Sequence, residues 1–261
     1  MSAAAGGPPS LTLTGVPCLP EIRPGDDLAG IISAGLAAAG MALAAGDVLV
    51  VAHKVVSKAE GRLVRLDEVR PGPRALALAA EVGKDPRLVE LILAESAAVS
   101  RWRPGLLITR HRLGFTSANA AIDRSNVPQN GPGEWVALMP LDPDASAAAL
   151  RRALYAHSGV QPGVVISDSH GRPFRRGTLG VAVGVAGLPA VWDRRGEADR
   201  QGYVLRHTEV GTADEIAAAA GLVMGQAAEG VPAVLARGLR LPAEEGRAAD
   251  LIRPPADDLY R

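Results

Sequence analysis

Apolar and polar positions change period several times along the chain, and the changes mark out alternating helices and strands. Leu28, Ile31, Ile32 and Leu36 recur at helical spacing behind the acidic pair Asp26-Asp27, which favours a helix N-terminus. Asp47 to Ala52 (DVLVVA) is a continuous apolar run bounded by Gly46, the pattern of a strand buried on both faces. His53 to Gly61 leaves the carboxyl end of that strand. After a Pro-rich break at Arg70 to Arg74, the spacing predicts helices over Ala75 to Val82 and Pro86 to Ala98, then a short strand over Leu106 to Thr109.

Arg112 to Asn126 (RLGFTSANAAIDRSN) carries too many small polar residues for a regular element. The loop signals QNGPGE and PLDPD flank a short strand over Trp135 to Met139. Asp144 is placed to cap a helix through about His157, and a strand follows from Val164. Thr178 to Val185 alternates small and branched residues, and Tyr203 to Glu209 reads as an exposed strand. Thr212-Ala-Asp-Glu215 has capping-box spacing before a helix over Ile216 to Met224. That helix runs into Gly225 to Gly230, and Val231 to Leu235 returns as a strand. The pattern predicts a mixed α/β protein with polar segments at element ends, where sites tend to be built. No fixed-period repeat appears, and no clear linker precedes residue 240.

Composition narrows the class. A chain of 261 residues, 48% hydrophobic and 21% charged, is soluble and globular in type and can bury a sizeable core without metal or disulfide. With 28 basic and 28 acidic residues, it is not a nucleic-acid binder working by general electrostatics. A single cysteine, Cys18, excludes an internal disulfide and any multi-cysteine metal site, so a reducing cytoplasm is the expected compartment. The opening MSAAAGGPPS has neither the positive flank nor the apolar core of a signal peptide, and no membrane span is expected. Residues 1–10 read as a disordered leader. Only three of the basic residues are lysines, and two of them, Lys54 and Lys58, fall within His53 to Gly61. A compact ammonium and a forked guanidinium are not equivalent phosphate partners, so this pairing points to function.

Candidate chemistry is set first by what is missing. There is no P-loop, dinucleotide fingerprint, nucleophile elbow or His-Glu-x-x-His. Gly180, Gly184 and Gly187 instead suggest close backbone packing. What remains is oxygen chemistry. Asp123 (AIDRSN) and Asp168 (ISDS) each end an apolar run and precede hydroxyl or amide groups. Brought together with Ser169 and a group from the Gly225 to Gly230 loop, they suit Mg²⁺ or Mn²⁺. Taken singly, each Asp reads as an Asx-turn or helix cap. Lys54 and Lys58 follow one strand and Arg172, Arg175 and Arg176 another, so both clusters are expected at one crevice at strand carboxyl ends. His53, His170 and His207 are either acid-base groups or polar loop residues.

Four segments in order carry a resemblance: VVAHKVVSKAEGR (50–62), GFTSANAAIDRSNV (114–127), VVISDSHGRPFRRGTLGVAVGVAG (164–187) and ADEIAAAAGLVMGQAAEGVPAVLARG (213–238). Together they resemble the coenzyme F420-0:L-glutamate ligase (F420 gamma-glutamyl ligase) family, over about Leu11 to Leu241. The resemblance implies a GTP-dependent amide ligase in an unusual α/β fold with mixed sheets, forming a homodimer. It implies Mg²⁺ or Mn²⁺, with K⁺ as a helper ion, and F420-0 or dehydro-F420-0 and L-glutamate as substrates. Asp123, Asp168, Ser169 and Gln226 would approach the metals. Leu19, Pro20, Glu21, Ile22, His53, Lys54, Lys58, Asn126 and the loop Met224, Gly225, Gln226, Ala227, Ala228, Glu229, Gly230, Val231 would hold GTP. Asp168, Lys58 and Arg172 are the expected catalytic groups. Thr is common in the family where Ser169 stands, which keeps a hydroxyl; Glu is common where Gln226 stands, so a neutral amide replaces a carboxylate.

The domain expectation is a ligase domain over 11–245 and a C-terminal tail or linker over 246–261. That ending resembles the joint to a flavin-binding nitroreductase-like domain, which leaves open such a domain or partner. Two other readings compete with the ligase: a non-catalytic F420-binding module and a metal-dependent nucleotide phosphohydrolase.

Overall fold

The computed structural model describes residues 8–128 and 133–259. In chain order the elements are β1 (Thr12–Gly15), α1 (Leu28–Ala38), β2 (Val48–Ala52), α2 (His53–Ala59), β3 (Leu63–Arg65), α3 (Pro73–Val82), α4 (Pro86–Ala94), β4 (Ser96–Arg103), β5 (Leu106–His111), β6 (Thr116–Ala118), β7 (Trp135–Ala137), α5 (Pro143–Ser158), β8 (Gly163–Arg172), β9 (Arg175–Ala186), β10 (Trp192–Asp193), β11 (Glu209–Val210), α6 (Thr212–Met224) and β12 (Ala233–Arg237).

The apolar runs of β2 and β8 place these strands inside a five-stranded sheet of order β1-β12-β2-β8-β9. They are its parallel pair, with Val48 opposite Gly163 and Ala52 opposite Ser167; every other pairing in this sheet is antiparallel. Both strands are covered on both faces, which is why they read as unbroken apolar stretches. Leu49, Val51, Val164 and Ile166 pack with Ile32 and Leu36 of α1 and Leu150 and Leu154 of α5. Val48, Val50 and Val165 pack on the other face with Ile216, Ala217 and Ala220 of α6. A further core joins Ala75, Val82, Val89 and Ile92 of α3 and α4 to Leu107 of β5 and Val136 of β7. It underlies the small sheets β4-β5-β6 and β3-β7. The mixed α/β architecture expected from the pattern is therefore present.

Helix N-termini are fixed by carboxylates. Asp27 and Asp142 cap α1 and α5, each accepting a backbone N–H at 3.0 Å from Gly30 and Ala145. Asp144, expected as the cap, lies in the first turn and accepts from Val185 N of β9 and Ala248 N, each at 2.8 Å. The capping box at Thr212 does not form. Gly211 is the N-cap of α6, leaving Thr212 inside the helix, and Asp214 accepts from Ala182 N of β9 at 2.8 Å. Two acidic first turns thus bind amides of the sheet's β9 edge. Gly184 and Gly180 allow this closeness, because a Cβ on either would strike the backbone of Pro143 or Ala217.

Other expectations are corrected by pairing. The helix expected to reach Ala98 ends at Ala94, and Ser96 onward joins β5 as β4. Tyr203 to Glu209 is not a strand: Val204 makes one bridge to Ala198, and only Glu209-Val210 pairs, with β10. The polar run after Ile166 is not a loop. Strand β8 continues through Arg172 and turns at Pro173-Phe174 into β9, with Phe174 at φ 61°. Most of the proposed leader, residues 1–7, lies outside the described residues, as do Gln129 to Pro132 of the QNGPGE signal and the last two residues of the tail. No helix among the described residues is long and apolar enough to cross a membrane.

Candidate active site

Parallel pairing of β2 and β8 brings their carboxyl ends side by side. The residue after Ala52 is His53, the first of α2, and the residue after its partner Ser167 is Asp168. Asp123 arrives from a third direction, in an extended stretch held to Ala137 by two backbone hydrogen bonds of 3.0 and 2.8 Å. His53 Nε2 lies 3.2 Å from Asp168 Oδ1 and 3.7 Å from Asp123 Oδ2. Lys54 Nζ is 3.1 Å from Asp123 Oδ2 and donates to Ser125 Oγ at 3.0 Å, which donates to Asp123 Oδ1 at 3.1 Å. On the far side of Asp168, His170 Nε2 stands 2.9 Å from Oδ2.

Neighbouring charges set the protonation states against the effect of burial. Removal from water alone would lower the His53 pKa, but the charges of Asp168 and Asp123 overcome it and raise it to about 9. Burial likewise opposes ionisation of Asp168, and His53 and His170 hold its carboxyl well below the usual carboxylate range. Asp123 is lowered against the same opposition by His53 and Lys54. The three side chains form a compact cluster of one cation and two anions, with Lys54 at its rim.

This cluster forms part of the wall of an open cavity of about 820 Å³. Leu19, Pro20, Glu21 and Ile22 line it, with His53, Lys54, Lys58, Asp123, Asn126, Asp168, Ser169 and the whole loop from Met224 to Val231. The groups expected from sequence to hold nucleotide and metal therefore share one wall system. Lys58 is buried and ion-paired to the exposed carboxylate of Glu21. Gln226 sits on the exposed part of the loop, where Glu229 folds back to accept from Ala227 N at 2.8 Å. Arg172 is not in the lining. It lies with Arg175 and Arg176 on the exposed end of the β8–β9 hairpin, and none of the three lines the cavity that Lys54 and Lys58 line.

The cluster fits a divalent cation once His53 gives up its proton, since only the neutral imidazole can ligate. One ligand atom each from His53, Asp123 and Asp168 lie within 4.8 Å of one another, and His53 Nε2 is buried without an aligned hydrogen-bond acceptor. Carboxylate oxygens suit Mg²⁺ and Mn²⁺, and imidazole nitrogen is tolerated better by Mn²⁺. Sequence reasoning placed His53 with the nucleotide; its contact with both carboxylates follows only from the strand pairing. The one signal for it in sequence was its position, directly after a fully buried strand. Ser125 and Ser167 also line the cavity and were not singled out.

Comparison with known proteins adds an independent finding. A family model described as F420-0:Gamma-glutamyl ligase matches residues 18–238. A protein of Methanopyrus kandleri named coenzyme F420:L-glutamate ligase is 49% identical over 260 residues, covering 98% of this chain and 100% of the relative. One of the same name from Methanothermobacter thermautotrophicus is 46% identical, covering 96% and 99%. Another from Archaeoglobus fulgidus is 43% identical, covering 93% of each.

Proposed function

The chain belongs to the F420-0:gamma-glutamyl ligase family, and on that premise we propose that it joins L-glutamate to coenzyme F420-0 through a γ-linked amide, at the expense of GTP. The observation that carries this reading is the meeting of Asp123, Asp168, Lys54 and Lys58 on one cavity, large enough for a nucleotide beside an acid substrate. The names of the relatives supply the substrates; the site supplies the chemistry.

A carboxylate is a poor acyl electrophile, so amide formation needs activation. In the proposed course, an oxygen of the acceptor carboxylate attacks the γ-phosphorus of GTP, the bond from that phosphorus to the β-γ bridging oxygen breaks, and GDP leaves. The amine of glutamate then attacks the carbonyl carbon of the acyl phosphate. The carbon–oxygen bond to phosphate breaks and the amine loses a proton, giving amide and phosphate. Mg²⁺ or Mn²⁺, when bound, supplies neutralisation of charge on the transferring phosphoryl oxygens. Asp123 and Asp168 would hold such an ion, with Ser169 adjacent on the rim.

The chain's own groups do the rest. Lys54 and Lys58 face the cavity with carboxylate partners that incoming phosphate can replace, which positions positive charge without requiring long side chains to reorganise. Holding both substrates at the cluster turns two bimolecular encounters into local ones.

The test is incubation of the full chain with F420-0, glutamate, GTP and Mn²⁺, following product mass and phosphate release. Gain of glutamyl units matched to phosphate supports the ligase. Phosphate without glutamate favours a nucleotide phosphohydrolase, and neither leaves an F420-binding module.

A further inference from the structure

The reading so far gives no role to His170, although it touches the central carboxylate. Asp168 and His170 stand two apart on β8 and therefore project from the same face. At this point β8 has lost one neighbour. Its pairing with β2 ends at Ser167, so Asp168 and His170 are held only from the β9 side, opposite Val181 and Leu179. A side chain at such a half-supported strand end needs another anchor to keep one orientation.

His170 provides it. Its Nε2 lies 2.9 Å from Asp168 Oδ2, in ion-pair contact although not aligned as a hydrogen bond, while Oδ1, the oxygen near His53, accepts from Ser169 N at 2.7 Å. The His170 ring packs against Phe115, with centroids 5.0 Å apart and planes tilted by 47°. Phe115 is in turn stacked on His111 at 4.7 Å and 4°. His111 is fully buried, and its Nδ1 accepts from Leu113 N at 3.1 Å. A column of three rings thus runs from β5 to the carboxylate, and His170 is only 11% exposed although Ser169 and Gly171 beside it are exposed.

We propose that His170 is a positioning residue: braced by Phe115 and His111, it fixes the second oxygen of Asp168 so that the carboxylate presents one constant orientation to a divalent cation in the cavity. This rests on the reading of Asp168 as a metal ligand. Ligating carboxylates are commonly oriented by such outer contacts, and loss of one lowers metal affinity by roughly 10–100-fold.

The experiment is titration of the purified full chain with Mn²⁺ alone, reading free ion by electron paramagnetic resonance and fold by thermal unfolding. Asp168→Asn is the reference for lost binding. His170→Phe keeps the packing on Phe115 but removes the donor, and should weaken Mn²⁺ binding by about tenfold or more. His170→Gln, which retains a donor, should recover most of that loss at an unchanged unfolding midpoint. Phe115→Leu keeps His170 but removes its brace and should fall between the two; it decides the matter if His170→Phe does not fold. Wild-type Mn²⁺ affinity in His170→Phe, or in Phe115→Leu when His170→Phe is unfolded, overturns the positioning role while Asp168→Asn still loses binding. Wild-type affinity in Asp168→Asn overturns the metal reading itself, and the proposal with it.

Discussion

Asp168 Oδ1 stands 3.2 Å from His53 Nε2 because their strands are parallel neighbours in register, so the first residues past the pairing meet. The contact joins two buried polar groups of the cavity wall, and it makes Asp168 the hinge of the proposed chemistry. Asp168→Asn should lower ligation by at least about 100-fold, the scale expected when a group stabilising developing charge is lost. Circular dichroism should remain that of the wild type, since Val164 to Ile166 hold the strand without the carboxylate. Full turnover in this variant would remove Asp168 from the mechanism.

Lys58 and Glu21 make the second prediction. Lys58 is buried and Glu21 is exposed, so the lysine depends on the pair far more than the glutamate does. Lys58→Met should weaken GTP binding by about tenfold or more, the value of a charge-assisted hydrogen bond. Glu21→Gln should have the opposite sign, tightening GTP by up to about fivefold, because the nucleotide no longer displaces a carboxylate of modest worth. Fluorescent-nucleotide titration of both variants checks the pair of signs; weaker binding in Glu21→Gln contradicts the displacement.

Glu95 predicts an acid response away from the cavity. Burial opposes its ionisation, but His111, Arg112 and Arg62 hold its pKa down to about 2 from an ordinary 4.5. Arg62 and Arg112 approach it at 2.9 and 3.0 Å and also donate to the carbonyls of Met139, Pro140 and Leu141. A depressed carboxyl adds stability that is full above its unfolded pKa and is lost as pH falls through the folded one. Urea unfolding should show a loss on the order of 3 kcal/mol between pH 4.5 and 2 from this group. Glu95→Gln should be less stable at neutral pH and show a shallower fall in that window.

Gly184 tests the packing that supports the site. A Cβ there meets the carbonyl of Pro143 at the start of α5, where backbone cannot easily yield. Gly184→Ala should cost about 1–3 kcal/mol of stability by overpacking, read from the denaturation midpoint. Unchanged stability would mean that α5 shifts freely on β9.

Much of this site was legible before folding, for a physical reason. Strands buried on both faces announce themselves as apolar runs, and the polar residues at their ends are then natural site candidates; Lys54, Lys58 and Asp168 stand out this way, whereas the role of His53 came only through the family resemblance. What stayed hidden depended on pairing between distant segments. The polar run after Ile166 pairs with β9 as a hairpin with an exposed end, so its alternation has no apolar face to betray it, and Arg172 stands on that end outside the cavity lining. Residues Ser96 to Arg103 follow a helix and contain helix-tolerant alanines, yet the open edge of β5 recruits them as a strand. The Thr212 spacing suits a capping box, but α6 starts one residue earlier because Asp214 is drawn to β9.

The central claim is that the acceptor carboxylate is activated by phosphoryl transfer in this cavity. It is tested most directly by labelling the terminal carboxylate of F420-0 with ¹⁸O and analysing the phosphate released during glutamate addition. The account predicts that each amide formed transfers one labelled oxygen to phosphate, and that Asp168→Asn suppresses label transfer and amide together. Amide formed with unlabelled phosphate would contradict it.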